Sequence, residues 1–361
     1  MPDVAVPWFR ARTAEGVSNR IDIACLGPGP AHTAPENVLS RYTLSHQDVD
    51  GIGAMQRLCR AYGVRIIKSP APRETTIPGF FRLFRQRRHR SPEPVLTPRW
   101  RDPSATPDKA ASAQSDPAAP AVSSTVIGAA ETLALTVLAA ERGVPLATLV
   151  FWSLHHMVMT ELSDGEGGRW LYPVNLRGAL QLGDDERNHV GGFYLPLPHD
   201  ASPEQIQGCL RERLRAADHW WLWHQARYAC WLGQPVINRI YRKILTRPGH
   251  LGSFSSLGEW TLDFHGSTLP DGTRIAPCGP GSPNHPVANG VLVCNGELVM
   301  SLRLDPVLGR SDAERHACMA RWRENLLSLL APSARAAACA DLSAATHAVS
   351  TPSPRRASGP R

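Results

Sequence analysis

The stretch from Pro92 to Ser124 constrains this chain most: it is rich in Pro, Ala and Ser and, from Ala105 to Ser123, almost devoid of large apolar side chains. Such a segment has no apolar surface to offset the entropy lost on ordering, and a disordered connection is expected there. It divides the 361 residues into a first piece, 1–91, a linker, 92–124, a second piece, 125–332, and a tail, 333–361, also expected to be disordered. Hydrophobic residues at 42% and charged residues at 20% describe a globular chain, whereas 32 Pro and 29 Gly exclude a uniformly helical bundle. No run approaches the ~18 apolar residues needed to cross a bilayer. The start, with Asp3 and Pro7 and no basic cluster, does not read as a signal peptide, and a cytoplasmic protein is expected. The eight Cys are scattered without a Cys-x-x-Cys pair, which argues against a disulfide framework and against a metal site.

The net charge of +7 is concentrated in two places. Within 82–101, Arg82, Arg85, Arg87, Arg88, Arg90, Arg99 and Arg101 are opposed only by Glu93; in the tail, Arg335, Arg355, Arg356 and Arg361 are opposed only by Asp341. The remainder is slightly acidic, so a basic fold for nucleic acid is excluded. The arm from Gly79 to Arg90 sets Phe80, Phe81, Leu83 and Phe84 among its arginines. It reads either as a solvated loop whose aromatics dock on the core or as a contact, through Arg82–Arg90, for an acidic partner or an anionic membrane surface.

Strand character is expected to dominate the first 45 residues, with extended segments over 21–26 and 38–44. Ile52, Met55, Leu58, Cys59 and Tyr62 fall at spacings of three and four, which predicts an amphipathic helix from Gly51 to Tyr62 closed by Gly63. Val64 to Ile67 reads as a strand. Beyond the linker, Glu131–Glu141 and Leu146–Leu162 read as helices separated by Gly143 and Pro145. Trp170–Leu176 and Val190–Leu197 read as strands; Pro203–Leu214, His219–Leu245 and Ser311–Leu330 read as helices. Val291–Leu304 predicts a hairpin turning at Asn295-Gly296. This alternation implies a two-lobed α/β or α+β protein.

One spot suggests chemistry. In Leu44-Ser-His-Gln-Asp-Val-Asp-Gly-Ile-Gly53 a strand ends and a helix begins, with His46 and Asp50 four apart. Gly51 permits a tight turn, and the helix N-terminus favours a carboxylate. A His oriented by such neighbours is a candidate general base, although spacing alone reads equally as a polar surface turn. His155 and His156 offer a rival pair, but they lie inside an apolar helix, which does not present a ring as a turn does.

The order of motifs adds to this. Ser45-His-Gln-Asp-Val-Asp-Gly51 resembles the His-His-x-x-x-Asp-Gly motif of the chloramphenicol acetyltransferase-like superfamily, which includes peptide-synthetase condensation domains, wax ester synthases and alcohol acyltransferases; Ser45 replaces the first His. Downstream, Leu133 to Leu149 is similar to the opening of that family's second lobe. Pro173-Val-Asn-Leu-Arg-Gly178 and Asn188-His-Val-Gly-Gly-Phe-Tyr-Leu-Pro196 are similar to its strand, loop and strand. Ser253-Phe-Ser-Ser-Leu-Gly258 resembles its Ser-Asn-x-Gly turn, with Ser256 where Asn is commoner.

The resemblance implies a two-lobed chloramphenicol acetyltransferase-like α/β (α+β) sandwich with an incomplete first lobe, since 45 residues precede His46. It also implies His46 as catalytic base and Asp50 as a structural partner of an Arg, with Ser45, Gly51, Asn175, Arg177, Asn188 and Ser256 supporting the site. An acyl thioester, on CoA or an acyl-carrier protein, would be the donor and an alcohol or amine the acceptor, with no metal and no bound cofactor. The carrier protein, or a membrane surface at which the protein sits peripherally, would meet Arg82–Arg90. Trp220, Trp221, Trp223 and Trp231 read as core or as the lining of an acyl tunnel. The alternative is a non-catalytic relative that binds a carrier protein or another partner, suggested by the short first lobe and the Ser45 and Ser256 replacements.

Overall fold

Strands drawn from both sides of the connection build two sheets in the computed structural model, which describes residues 4–29, 38–72, 74, 76–88, 96–101, 122–182, 185–246 and 249–330. β1 (Arg20–Leu26) pairs antiparallel with β2 (Val38–Ser45) and, on its other edge, with β9 (Arg274–Cys278), making a three-stranded sheet. The second sheet has eight strands. Its centre is the hairpin of β10 (Val287–Cys294) and β11 (Glu297–Leu304), turned by Asn295 and Gly296 at φ 50° and 85°, the left-handed pair that a type I′ turn requires. β11 also carries β4 (Ser123–Ile127). The far edge of β10 meets two successive segments, β7 (Gly252–Ser253) and β8 (Ser256–Asp263), both parallel to it. β7 leads to β5 (Gly167–Asn175) and β6 (Val190–Pro198), whereas β8 carries β3 (Arg65–Lys68).

The chain therefore steps from one half of this sheet to the other between Ser253 and Ser256. Asn289 holds the step: its Nδ2 donates to the Ser253 carbonyl at 2.6 Å and its Oδ1 accepts the Ser255 N–H at 3.1 Å. One core gathers α4 (Ala129–Glu141), α5 (Leu146–Glu161), α7 (Pro203–Arg215) and α10 (Asp312–Leu327) around Phe151, Trp170, Phe254 and Trp322. The other joins α2 (Gly51–Tyr62) and β1 to Leu257, Trp260, Ile275, Leu292 and Val299. Residues beyond the connection thus share a core with α2 and β1, and the cores draw on both sides of the 92–124 segment.

Several expectations are corrected. The first 45 residues are not all extended: α1 (Ala5–Ala14) is a helix whose Ala11 packs with Ile237 and Tyr241 of α9 (Gln234–Leu245). Its apolar residues run around the helix instead of along one stripe, so no periodicity announces it. The helix expected over 219–245 breaks at Gly233, φ 84°, between α8 (Asp218–Trp231) and α9. The arginine arm is a helix, α3 (Phe80–Arg88), with Leu83 buried against Leu176, Trp220 and Trp223. Both ends of the expected linker belong to the fold: Trp100 bridges to Ser163, and Ser123 and Ser124 pair with Leu302 and Ser301. Residues 102–121, and the tail from 331, lie outside the described residues. Strands β8 and β9 were not anticipated; their apolar residues become legible only against β10 and β1. Among the described residues no single helix is long and apolar enough to cross a membrane.

Candidate active site

A tight turn links β2 to α2: the Ser45 carbonyl accepts the N–H groups of Asp48 at 3.0 Å and Val49 at 3.2 Å. Asp50 then caps α2, its Oδ1 accepting the Gly53 N–H at 2.9 Å. The same fully buried carboxylate is gripped by Arg177 from α6 (Arg177–Leu180), with Nη1 to Oδ2 at 2.7 Å and Nη2 to Oδ1 at 2.9 Å, and Oδ2 takes the His189 N–H at 3.0 Å. Arg177 spends its other donor capacity on Asn175 Oδ1 at 3.2 Å and on the carbonyls of Asp185 at 2.8 Å and Arg187 at 2.9 Å. A buried ion pair is tolerable only when its remaining donors and acceptors are met, as they are here. Asn175 Oδ1 also receives the Arg177 N–H at 3.1 Å and so fixes the bend out of β5.

The clamp draws residues 185–189 over the turn that holds His46. Asn188 Nδ2 donates to the His46 carbonyl at 2.8 Å. His46 Nδ1 stands 2.8 Å from the Val49 carbonyl and 2.9 Å from the same Asn188 Nδ2; a proton on Nδ1 serves the carbonyl, and a lone pair there serves the amide. Nε2 has no hydrogen-bond partner among the described residues, and with the proton on Nδ1 it presents a lone pair. Burial, seconded by the positive charge of Arg12, lowers the ring's pKa below the ordinary histidine value, against the opposing pull of Val49 and Asp50. Phe9 of α1 lies over the half-buried imidazole with ring centroids 4.8 Å apart. The lowered pKa favours the uncharged ring at neutral pH, and the contacts on Nδ1 fix its orientation.

The other candidates hold different stations. Ser45 is exposed and its Oγ accepts the Gln47 N–H at 3.2 Å. Gly51 sits where a Cβ would come within 2.5 Å of Leu257. Ser256 opens β8 beside that leucine, and among the described residues no hydrogen bond joins it to His46, Asp50 or Arg177. Sequence reasoning passed over Gly53, where a Cβ would stand 1.8 Å from the Glu186 carbonyl oxygen, and over Asn289, Phe9 and Arg12. The Gly-x-Gly spacing at 51–53 was the available signal for the first. His155 behaves as a core residue: Nε2–H donates to the Pro198 carbonyl at 2.8 Å, Nδ1 accepts the Trp170 indole N–H at 3.1 Å, and burial pushes its pKa down to about 4. His156 stacks on Trp152 with centroids 5.6 Å apart. Among the described residues no cluster of His, Cys, Asp and Glu is arranged to hold a metal ion.

No protein-family model matches the chain, and no curated protein matches it. Among solved structures it is similar to the X-domain from teicoplanin biosynthesis, at a TM-score of 0.46 and 11% identity over 91% of this chain and 93% of that one. It is similar to the epimerization domain from the third module of tyrocidine synthetase B, at 0.45 and 14% over 80% and 68%. The wax ester synthase/diacylglycerol acyltransferase from Marinobacter aquaeolei VT8 stands at 0.43 and 13% over 80% and 66%. The chain spans about two thirds of the length of the latter two.

Proposed function

We propose that this chain transfers an acyl group from a CoA or carrier-protein thioester to an alcohol or amine, with His46 as general base. The placement of the His46 ring supports the reading: Val49 and Asn188 flank Nδ1, and with the proton on Nδ1, shared with the Val49 carbonyl, Nε2 serves as the lone-pair acceptor. Nε2 takes the proton from the acceptor's hydroxyl or amine as its oxygen or nitrogen attacks the thioester carbonyl. Collapse of the tetrahedral adduct breaks the C–S bond, and the leaving thiolate recovers that proton from Nε2. A ring pKa below the ordinary value keeps the base unprotonated at neutral pH. Asp50 and Arg177 do not react in this scheme; they hold the turn, aided by Asn175, Asn188 and Gly51. The scheme uses no metal or bound cofactor.

Turnover of a panel of acyl-CoA donors, with circular dichroism as fold control, tests it. His46→Ala should lower turnover by roughly 10²–10⁴, and full activity in the folded variant would overturn the assignment. The second reading, a non-catalytic carrier-protein binder, is favoured by one observation, the Phe9 ring lying over the imidazole. Absence of turnover by the wild-type protein with every donor, together with carrier-protein binding, would select it.

A further inference from the structure

We propose that α3, with the end of α8 and the loop that follows it, forms a surface that seats on an anionic membrane. Phe80 joins the two helices: it stacks on Trp221 at a centroid distance of 5.3 Å, meets Tyr228 edge-on at 5.0 Å and meets Phe81 at 5.7 Å. Tyr228 in turn meets Trp231 at 5.2 Å. The rings therefore make one continuous tract, and its outer members stand in the open: Phe81 is 83% exposed, Trp231 71%, Leu232 63% and Phe84 50%.

The exposed charge of α3 is positive, and two acids lie nearby: Asp218, and Glu74, whose Oε2 accepts the Trp220 indole N–H at 2.7 Å and stands 2.8 Å from His219 Nε2. Arg82, Arg85 and Arg88 are exposed, and among the described residues no carboxylate pairs with them. Asp218 is buried between Arg87 at 3.0 Å and Arg213 at 3.1 Å, so its charge is met internally. The sequence has no Asp or Glu from Thr75 to Pro92 or from His219 to Gly258. Large apolar rings flanked by unpaired guanidinium groups suit the boundary between lipid headgroups and acyl chains, where rings partition and arginines meet lipid phosphates. Protein–protein interfaces also enrich aromatic residues and Arg, so the choice of a bilayer rests on the exposed arginines that flank the rings without a carboxylate partner among the described residues. The occupant is a phospholipid bilayer carrying net negative charge, whether or not His46 is a base.

The test is co-sedimentation of the full chain with vesicles of phosphatidylcholine alone and of phosphatidylcholine with phosphatidylserine at three to one, at low and moderate NaCl. Partition to the anionic vesicles should be at least about tenfold stronger and should weaken as salt screens the arginines. Phe81→Ser with Trp231→Ser, and separately Arg85→Ser with Arg88→Ser, should each reduce it about tenfold, with unchanged circular dichroism because all four side chains are largely outside the core. No binding to either vesicle, or binding unchanged in both variants, overturns the proposal. So does capture of an acyl-carrier protein that is lost in these variants while vesicles are ignored. Because the measurement reads binding and not turnover, its failure is separate from failure of the acyltransferase reading.

Discussion

Replacing Asp50 by Asn removes one charge from a pair in which Arg177 is only 3% exposed, leaving a guanidinium buried beside a neutral amide. Breaking a buried pair from one side costs about 3–5 kcal/mol, so Asp50→Asn should lower the denaturant midpoint strongly and depress turnover through lost geometry. His46→Ala should do the reverse, costing about 1 kcal/mol or less for the Nδ1–H bond to Val49 while removing the chemistry. Equal loss of stability in both variants would mean that His46 is structural. The pH dependence follows from direction: the His46 pKa is lowered, so turnover should hold through neutral pH and fail only as acid protonates Nε2, with the acid limb below 6.5. His155 gives a stability counterpart. Its pKa of about 4 in the folded chain lies below the ordinary 6.5, so its neutral form contributes stability that is present above 6.5 and lost as pH falls toward 4. That loss amounts to about 3 kcal/mol. Urea unfolding at pH 7.5 and 4.5 should show a smaller acid loss in His155→Gln, and an unchanged one would refute the assignment.

At the scale of elements, the entry of α2 is built around a close approach. A Cβ on Gly53 would stand 1.8 Å from the Glu186 backbone carbonyl, which no rotamer change relieves. Gly53→Ala should therefore push residues 185–189 away from the turn, costing about 1–3 kcal/mol and loosening the Asn188 and His189 bonds with it. Gly208, inside α7 with nothing near its missing Cβ, is the control: Gly208→Ala should stabilise by about 0.5–1 kcal/mol. Thermal melts of both variants decide it, and equal effects would refute the close-approach argument. The elements that sequence reasoning found were those with a strong local signature: α2 with its apolar stripe and Asp50 and Gly63 caps, the hairpin with Asn295-Gly296, and α7 with the Ser202–Gln205 capping box. α1 has no apolar stripe to announce it, and the sequence leaves the arm readable as a loop because its burial depends on Trp220, Trp221 and Trp223 from α8, more than 130 positions away.

For the whole molecule, β1 pairs with β9, β3 pairs with β8, and Asp50 pairs with Arg177, so the first piece is an integral part of both sheets and of the site. Residues 1–101 and 122–361 produced as separate chains should co-purify and restore the native circular dichroism together, while the first piece alone should not fold. Independent folding of 1–101 would mean that the shared core is dispensable. The sequence by itself determined the local parts: the strand–turn–helix around His46, the tight hairpin, the helical pairs of the second piece, and a pairing partner for Asp50 among the arginines, through a motif resemblance. These are set by hydrogen bonds, caps and periodicities within a few residues. Only the tertiary structure decided that Arg177 is that partner, that Val49 and Asn188, and not Asp50, meet the imidazole Nδ1, that Phe9 covers the ring, and that residues 257–299 pack with α2 and β1. Those contacts join positions far apart in the chain, and their free energy comes from burial and from satisfying buried charges, neither of which a local pattern records.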